Sequence, residues 1–298
     1  MAGIPSPQDM SNRASQFPRT GTKRAVENLE RVVQDTSQSA RRLKKSQTTP
    51  ISRSIFAKEY KSPWEHYQKT FKLNQAGHGL VVHGKNATFA EGVMKEIKSI
   101  GEEELEKIKS YSHENLVQMQ RVFYDEGAVF LLYEIMDVTL AQISNSPLGR
   151  LQAYEVAAFS QEVLAGVDYI HRVLGIVHGK INSDSILLST SGAVKIANVG
   201  NAMLHSDSHQ KEQDDLKALG KIVQECLDHT LFSQKEEQHK TRPWESNVVN
   251  FVKSTHHKSA KWLLQHDFLK LSPGSSCLKP YIRLAREVGA KEVGMVKQ

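Results

Sequence analysis

Between Val177 and Gly200 the chain gathers His178, Lys180, Asn182, Asp184, Ser185, Lys195 and Asn198, with the apolar runs Ile186-Leu187-Leu188 and Val194 to Ile196 among them. This density of polar groups beside short apolar runs is where chemistry would be placed. Asn198 offers a neutral carbonyl oxygen and Ser185 a neutral hydroxyl. Hard divalent cations prefer anionic oxygens, so both are poor ligands for one. Lys180 would act as a base near neutral pH only if its pKa fell from roughly 10.4 to near 7. Asp184 is the nearest carboxylate that could act as a base. The same residue type commonly caps a local turn, and that reading stands beside the first.

The block Val177-His178-Gly179-Lys180-Ile181-Asn182-Ser183-Asp184-Ser185-Ile186-Leu187-Leu188, followed by Val194-Lys195-Ile196-Ala197-Asn198-Val199-Gly200, resembles the catalytic and metal-binding loops of the protein kinases. The family pattern is His-Arg-Asp-Leu-x-x-x-x-Asn, then Asp-Phe-Gly. In that register Lys180 stands for the catalytic Asp, Ser185 for the metal-binding Asn and Asn198 for the metal-binding Asp, and Asn182 is a further altered position. The resemblance thus implies a kinase frame without intact catalytic residues, and weak or absent magnesium binding. Lys180 has two readings: an ammonium that neutralises phosphate without metal, or a structural lysine at the mouth of a closed pocket. A position facing phosphates would raise its pKa, not lower it.

Other segments extend the resemblance over about residues 70–270. Gly77-His78-Gly79-Leu80-Val81-Val82 resembles the glycine-rich loop, whose backbone amides approach phosphates without side-chain clash, with Val82 at the third glycine position. Gly92-Val93-Met94-Lys95-Glu96-Ile97 looks like the strand whose lysine, here Lys95, touches the α- and β-phosphates. Glu104 falls where the family's helix carboxylate pairs with that lysine, at a spacing shorter than usual. Leu131 to Met136 resembles the strand and hinge that bind the adenine edge, which makes Glu134 and Met136 nucleotide-binding candidates and Tyr133 the guard of the pocket's rear. Asp215 is similar to the family Asp that ties down the catalytic-loop backbone. Ala260 to Leu269 is similar to its late Leu-Leu-x-His-Pro-Phe-Leu helix. Residues 201–214 are short for an activation segment and hold no Ala-Pro-Glu. By resemblance ATP is the one cofactor to consider; none is certain.

Elements must hold these groups in place. Residues 71–98 read as short strands joined by glycine turns. Residues 102–112 read as an amphipathic helix with Leu105 and Ile108 on one face, and residues 116–122 and 128–135 as a strand pair around Tyr124-Asp125-Glu126-Gly127. Val156, Phe159, Val163, Val167 and Ile170 mark the buried stripe of a long helix from Ala153 to Val173. Strands at 186–188 and 194–196 follow, then helices at 214–227, 248–254, 260–265 and 281–287. Strands first and helices later give an α+β fold of two lobes. The expected division is a basic tail at 1–62, a strand-rich lobe at 63–137, a helical lobe at 138–288 and a tail at 289–298.

Composition limits the rest. The chain has 298 residues, 39% of them hydrophobic, and a net charge of +6. Residues 1–62 hold 12 Lys/Arg against 5 Asp/Glu, so the remainder is close to neutral. The tail, not the folded part, would meet an acidic partner, anionic lipid or RNA. It is expected to be mostly disordered, with a short helix at 25–44. The a/d spacing of Val26, Leu29, Val33, Thr36, Ala40 and Leu43 fits either a transient helix or a coiled-coil self-contact over 26–43. Arg41 to Lys45 reads as solvated tail, or as a nuclear-import or lipid-contact patch. No apolar run approaches the roughly 18 residues of a membrane helix. Cys226 and Cys277 give no framework for disulfide or zinc, and His205, His209, His256 and His257 read as surface residues. A cytoplasmic or nuclear protein follows. Three functions compete: a pseudokinase that binds and regulates or scaffolds a protein partner, an active atypical Ser/Thr kinase, and an adaptor acting through its tail.

Overall fold

The computed structural model describes residues 58–87, 89–146, 150–205, 211–227 and 243–295. Backbone contacts divide the chain into Met1–Ile55 and Phe56–Gln298, and every described residue belongs to the second unit. The expected helix over 25–44 and the basic cluster at Arg41 to Lys45 lie outside the described residues, as does His209.

Six strands form the first lobe: β1 (Lys58–Glu59), β2 (Tyr67–Asn74), β3 (His78–Gly84), β4 (Gly92–Lys98), β5 (Met119–Asp125) and β6 (Ala128–Tyr133). Their order across the sheet is β1-β5-β6-β4-β3-β2. All neighbours are antiparallel except β1, which runs parallel to β5. β1 lies inside the segment expected as tail. It covers an otherwise open sheet edge, and Glu59 clamps it there through Arg121 at 2.7 Å and Lys61 at 2.8 Å. Burial pushes the Glu59 pKa up, but these two cations outweigh it and the net displacement is downward. A two-residue strand carries no periodicity, so composition alone could not separate it from the tail.

The expected helix at 102–112 is corrected to a single turn, α1 (Glu102–Leu105). Beyond Leu105 the amides of Glu106, Lys107 and Ile108 reach back only three residues. The chain then unwinds so that both Ile108 and Tyr111 enter the core, 2% and 5% exposed. Tertiary burial overrides a weak helical preference here.

The second lobe is built on α3 (Ala153–Tyr169), preceded by β7 (Val138–Thr139) and α2 (Leu140–Ser144). All five stripe residues of α3 and the turn after it are at most 1% exposed. A wider π turn at Ile170–Leu174 ends on Gly175 in the left-handed conformation, φ +67°, which glycine adopts without steric cost. β8 (Ile186–Leu188) and β9 (Val194–Ile196) follow, and with β7 they form a second antiparallel sheet. The remaining helices are α4 (Val199–His205), α5 (Glu212–Cys226), α6 (Pro243–Ser254), α7 (Ala260–Leu263) and α8 (Lys279–Met295). α8 runs on through much of the expected C-terminal tail.

The lobes share one core. A continuous cluster of buried residues runs from Ile100, Leu105 and Ile108 in the first lobe to Phe268 and Ile282 in the second. The segment before β5 stitches them. Ile196 N–H donates to Asn115 O at 2.8 Å, and Val117 N–H donates to Ile196 O at 2.9 Å. Asn115 also donates to Glu162 and to Val194 O. This joint ties β9 to the segment that leads into β5.

Candidate functional site

The turn from β2 to β3 folds inward over the cleft between the lobes. Gln75 and Ala76 are buried there, 7% and 9% exposed, while Gly77 stays at the surface. Ala76 has φ +53° and Asn198, across the cleft, has φ +65°. Asn tolerates that region through its short polar side chain; Ala does so at a cost of about 1 kcal/mol. Hydrogen bonds hold both. Ala76 O accepts from Lys95 Nζ at 2.6 Å and from Asn198 Nδ2 at 2.8 Å. Lys95 Nζ donates also to Asn198 Oδ1 at 2.7 Å and to Gln75 O at 3.1 Å. The Gln75 side chain crosses to the hinge and donates to Asp137 O at 2.9 Å.

These bonds fill the cleft. The cavity left between Leu73, Val93, Tyr133, Met136 and Leu187 measures about 20 Å³, room for about one water molecule. The nucleotide-binding candidates Lys95, Glu134 and Met136 border it, together with Asn198. Glu134, however, is engaged elsewhere: its Oε1 accepts from Lys195 Nζ at 2.6 Å and from Gln118 N at 2.7 Å. Gly79 is a packing residue in this arrangement, since a Cβ there would meet Val93 Cγ1 at 2.7 Å.

Glu104 is a correction. It does not pair with Lys95. Its Oε2 accepts from Gly101 N at 2.8 Å, and its other oxygen lies 3.8 Å from Lys107. The carboxylate caps the one-turn α1 because that helix is too short to carry it across to β4. Lys95 is left as a part-buried ammonium held by three neutral oxygens. Burial pushes its pKa down to about 8.

The loop after Gly175 keeps a rigid frame. Asp215, 1% exposed, accepts from His178 N and Gly179 N at 2.8 Å each, and His171 Nε2 lies 2.8 Å from its Oδ2. His178 Nε2 donates to Ala197 O at 2.8 Å. Burial, opposed by Ala197 O and Asp215, lowers the His178 pKa, so this imidazole is neutral and its role is to tie the loop to β9. Gly179 takes φ +73° at the sharpest point.

The groups that would hold magnesium do not fit it. Ser185 is 2% exposed, and its Oγ is closed into the local turn, accepting from Asn182 N and donating to Asn182 O at 2.9 Å each. Asn182 Oδ1 accepts from Ser185 N in return. The two positions therefore hold each other, and neither borders the cleft cavities. Asn198 spends its oxygen on Lys95. Asp184 is exposed and borders none of the cleft cavities. Lys180 is exposed and borders a void of about 40 Å³ with Asn198, Asn201 and His205. Among the described residues no group of three or more His, Cys, Asp or Glu side chains could hold a metal ion, and no helix is long and apolar enough to cross a membrane.

Sequence reasoning missed Gln75 and the Glu134–Lys195 pair. The only available signal for Gln75 was a long amide side chain beside the glycine turn, which by itself points to no partner 62 residues away.

The model of the protein kinase domain family matches residues 67–219, just over half of the chain. A probable serine/threonine-protein kinase of Arabidopsis thaliana is 23% identical over 147 residues, 49% of this chain and 25% of the relative. The cyclin-dependent kinase C-2 C of the same plant is 22% identical over 165 residues, 55% of this chain and 25% of the relative. The aligned part spans about a quarter of the length of these relatives.

Proposed function

Because the chain belongs to the protein kinase family, we propose that it is a pseudokinase, a kinase fold that regulates or scaffolds a protein partner and transfers no phosphate. The observation that carries this reading is the closed cleft. Gln75, Lys95 and Asn198 use the backbone of the glycine turn and the hinge as their partners, where a nucleotide would have to insert. Phosphoryl transfer in this family rests on metal-neutralised phosphates and a carboxylate that orients the acceptor hydroxyl. Here the position of that carboxylate is an exposed ammonium, Lys180, and the two metal positions are neutral groups already hydrogen-bonded to protein. The carboxylates near the cleft are engaged: Glu134 with Lys195, Asp215 with the loop backbone.

What remains is a stable two-lobed body with an intact loop frame, suited to presenting surfaces. The positive charge of residues 1–62 supports a second reading, an adaptor whose tail makes the contact. A cytoplasmic or nuclear setting belongs to both. A thermal-shift titration of the full chain with ATP, in magnesium and in EDTA, tests the first reading: no stabilisation in either is expected. Stabilisation only with magnesium favours an active atypical Ser/Thr kinase instead. A partner pull-down repeated after removal of residues 1–57, which spares β1, separates regulator from tail-driven adaptor.

A further inference from the structure

Resting on the pseudokinase reading, we propose that the cavity behind Lys95 is a docking site for an acidic side chain, Asp or Glu, carried by a partner protein. The cavity measures about 180 Å³ and lies between β4, β6, the inward turn at Ala76–Gly77 and the start of α4. Its floor is Lys95, Leu131 and Tyr133, and its rim is Gly77, His78 and Glu96, all three exposed. Glu104, held by Gly101 N and beside Lys107, does not border it.

Three observations point to an anion. First, Lys95 is a part-buried cation held by three neutral oxygens with no carboxylate on it, and a charge withdrawn from water is ordinarily paired. The nearest acidic group on the rim, Glu96, lies 3.6 Å from Lys98 on the outer face of the strand. Second, the Tyr133 hydroxyl is buried without a hydrogen-bond partner. The Gly200 and Asn201 amides lie beside its oxygen; as donors they supply no acceptor for its O–H. A carboxylate in the cavity would accept from both Lys95 and Tyr133, displacing the longest of the lysine's three bonds, that to Gln75 O at 3.1 Å. Third, Ile97 and Leu131 supply an apolar wall. The volume holds a carboxylate side chain with an apolar neighbour, which is the chemistry of an acidic peptide segment and not of a free ion.

The test is a selection of displayed short peptides on the full chain, with binding of each recovered peptide then measured to wild type, Lys95→Met and Lys72→Met, Lys72 being an exposed lysine on β2. The expected result is peptides with an Asp or Glu whose change to Asn or Gln weakens binding on the order of 30-fold, matched by Lys95→Met and not by Lys72→Met. The peptide change keeps the test valid if Lys95→Met perturbs folding. Tyr133→Phe should weaken the same peptides severalfold. Recovered peptides that bind equally well after loss of their carboxylate, or equally to Lys95→Met, overturn the proposal. So does a selection in which nothing carboxylate-dependent is recovered. ATP with magnesium is added to the same samples. Displacement of peptide together with phosphate transfer would refute the pseudokinase reading, whereas Lys95-independent peptides with inert ATP refute only the docking site.

Discussion

Lys95 gives the sharpest quantitative prediction. Its ammonium is part-buried, and its three partners are neutral oxygens. Burial lowers its pKa to about 8, against roughly 10.4 for a lysine in the unfolded chain. The folded state therefore binds the proton less tightly than the unfolded state does. Between those two values the unfolded state holds more protons, so stability rises with pH through this window. At RT ln 10, about 1.4 kcal/mol per pH unit, the penalty is about 3 kcal/mol at pH 7 and falls below about 1 kcal/mol at pH 10. Urea denaturation of wild type and Lys95→Met at pH 7 and pH 10 isolates it, because other titrating groups cancel in the difference. Wild type should gain about 2 to 3 kcal/mol on the variant over that range. Parallel pH profiles would refute the reasoning, and would mean that a carboxylate, Glu104 above all, neutralises Lys95 in solution.

Three further outcomes follow from the same geometry. Asp215→Ala strands the buried amides of His178 and Gly179 and should cost about 3 kcal/mol in a denaturant titration; a loss near zero would mean the loop does not depend on this frame. Gly200→Ala drives a Cβ to 2.7 Å from the Tyr133 hydroxyl and 2.9 Å from Met119 Sδ, an overpacking cost of about 1–3 kcal/mol visible as a lowered Tm. Gln75→Ala removes the bond from turn to hinge. It should still leave ATP binding undetected in calorimetry, because one neutral hydrogen bond is worth no more than about tenfold and Lys95 and Asn198 still hold Ala76.

Much of the frame was legible in the sequence because its signals are local or strongly periodic. The α3 stripe and the Ile186–Leu188 and Val194–Ile196 strands needed only residue type and spacing, while the order of lysine strand, hinge and loop came from the resemblance to the protein kinases. The reading of Lys180, Ser185 and Asn198 as replaced positions came from the same resemblance. What they do instead was not legible. Ser185 and Asn182 close on each other through a turn whose geometry the chain sets only once folded. The contact of Gln75 with Asp137 joins residues far apart in sequence. The Lys95–Glu104 pair was expected from register, but register assumed a longer helix. Burial of Ile108 and Tyr111 ended that helix early, and this competition between local preference and core packing leaves no mark in periodicity.

The central claim is that the cleft supports no phosphoryl transfer. It is tested most directly by incubating the full chain with ATP labelled at the γ-phosphate, in magnesium and separately in manganese, with a generic protein substrate and without one. The account predicts no labelled protein above that of a Lys95→Met control. Metal-dependent label that disappears in that control would contradict it.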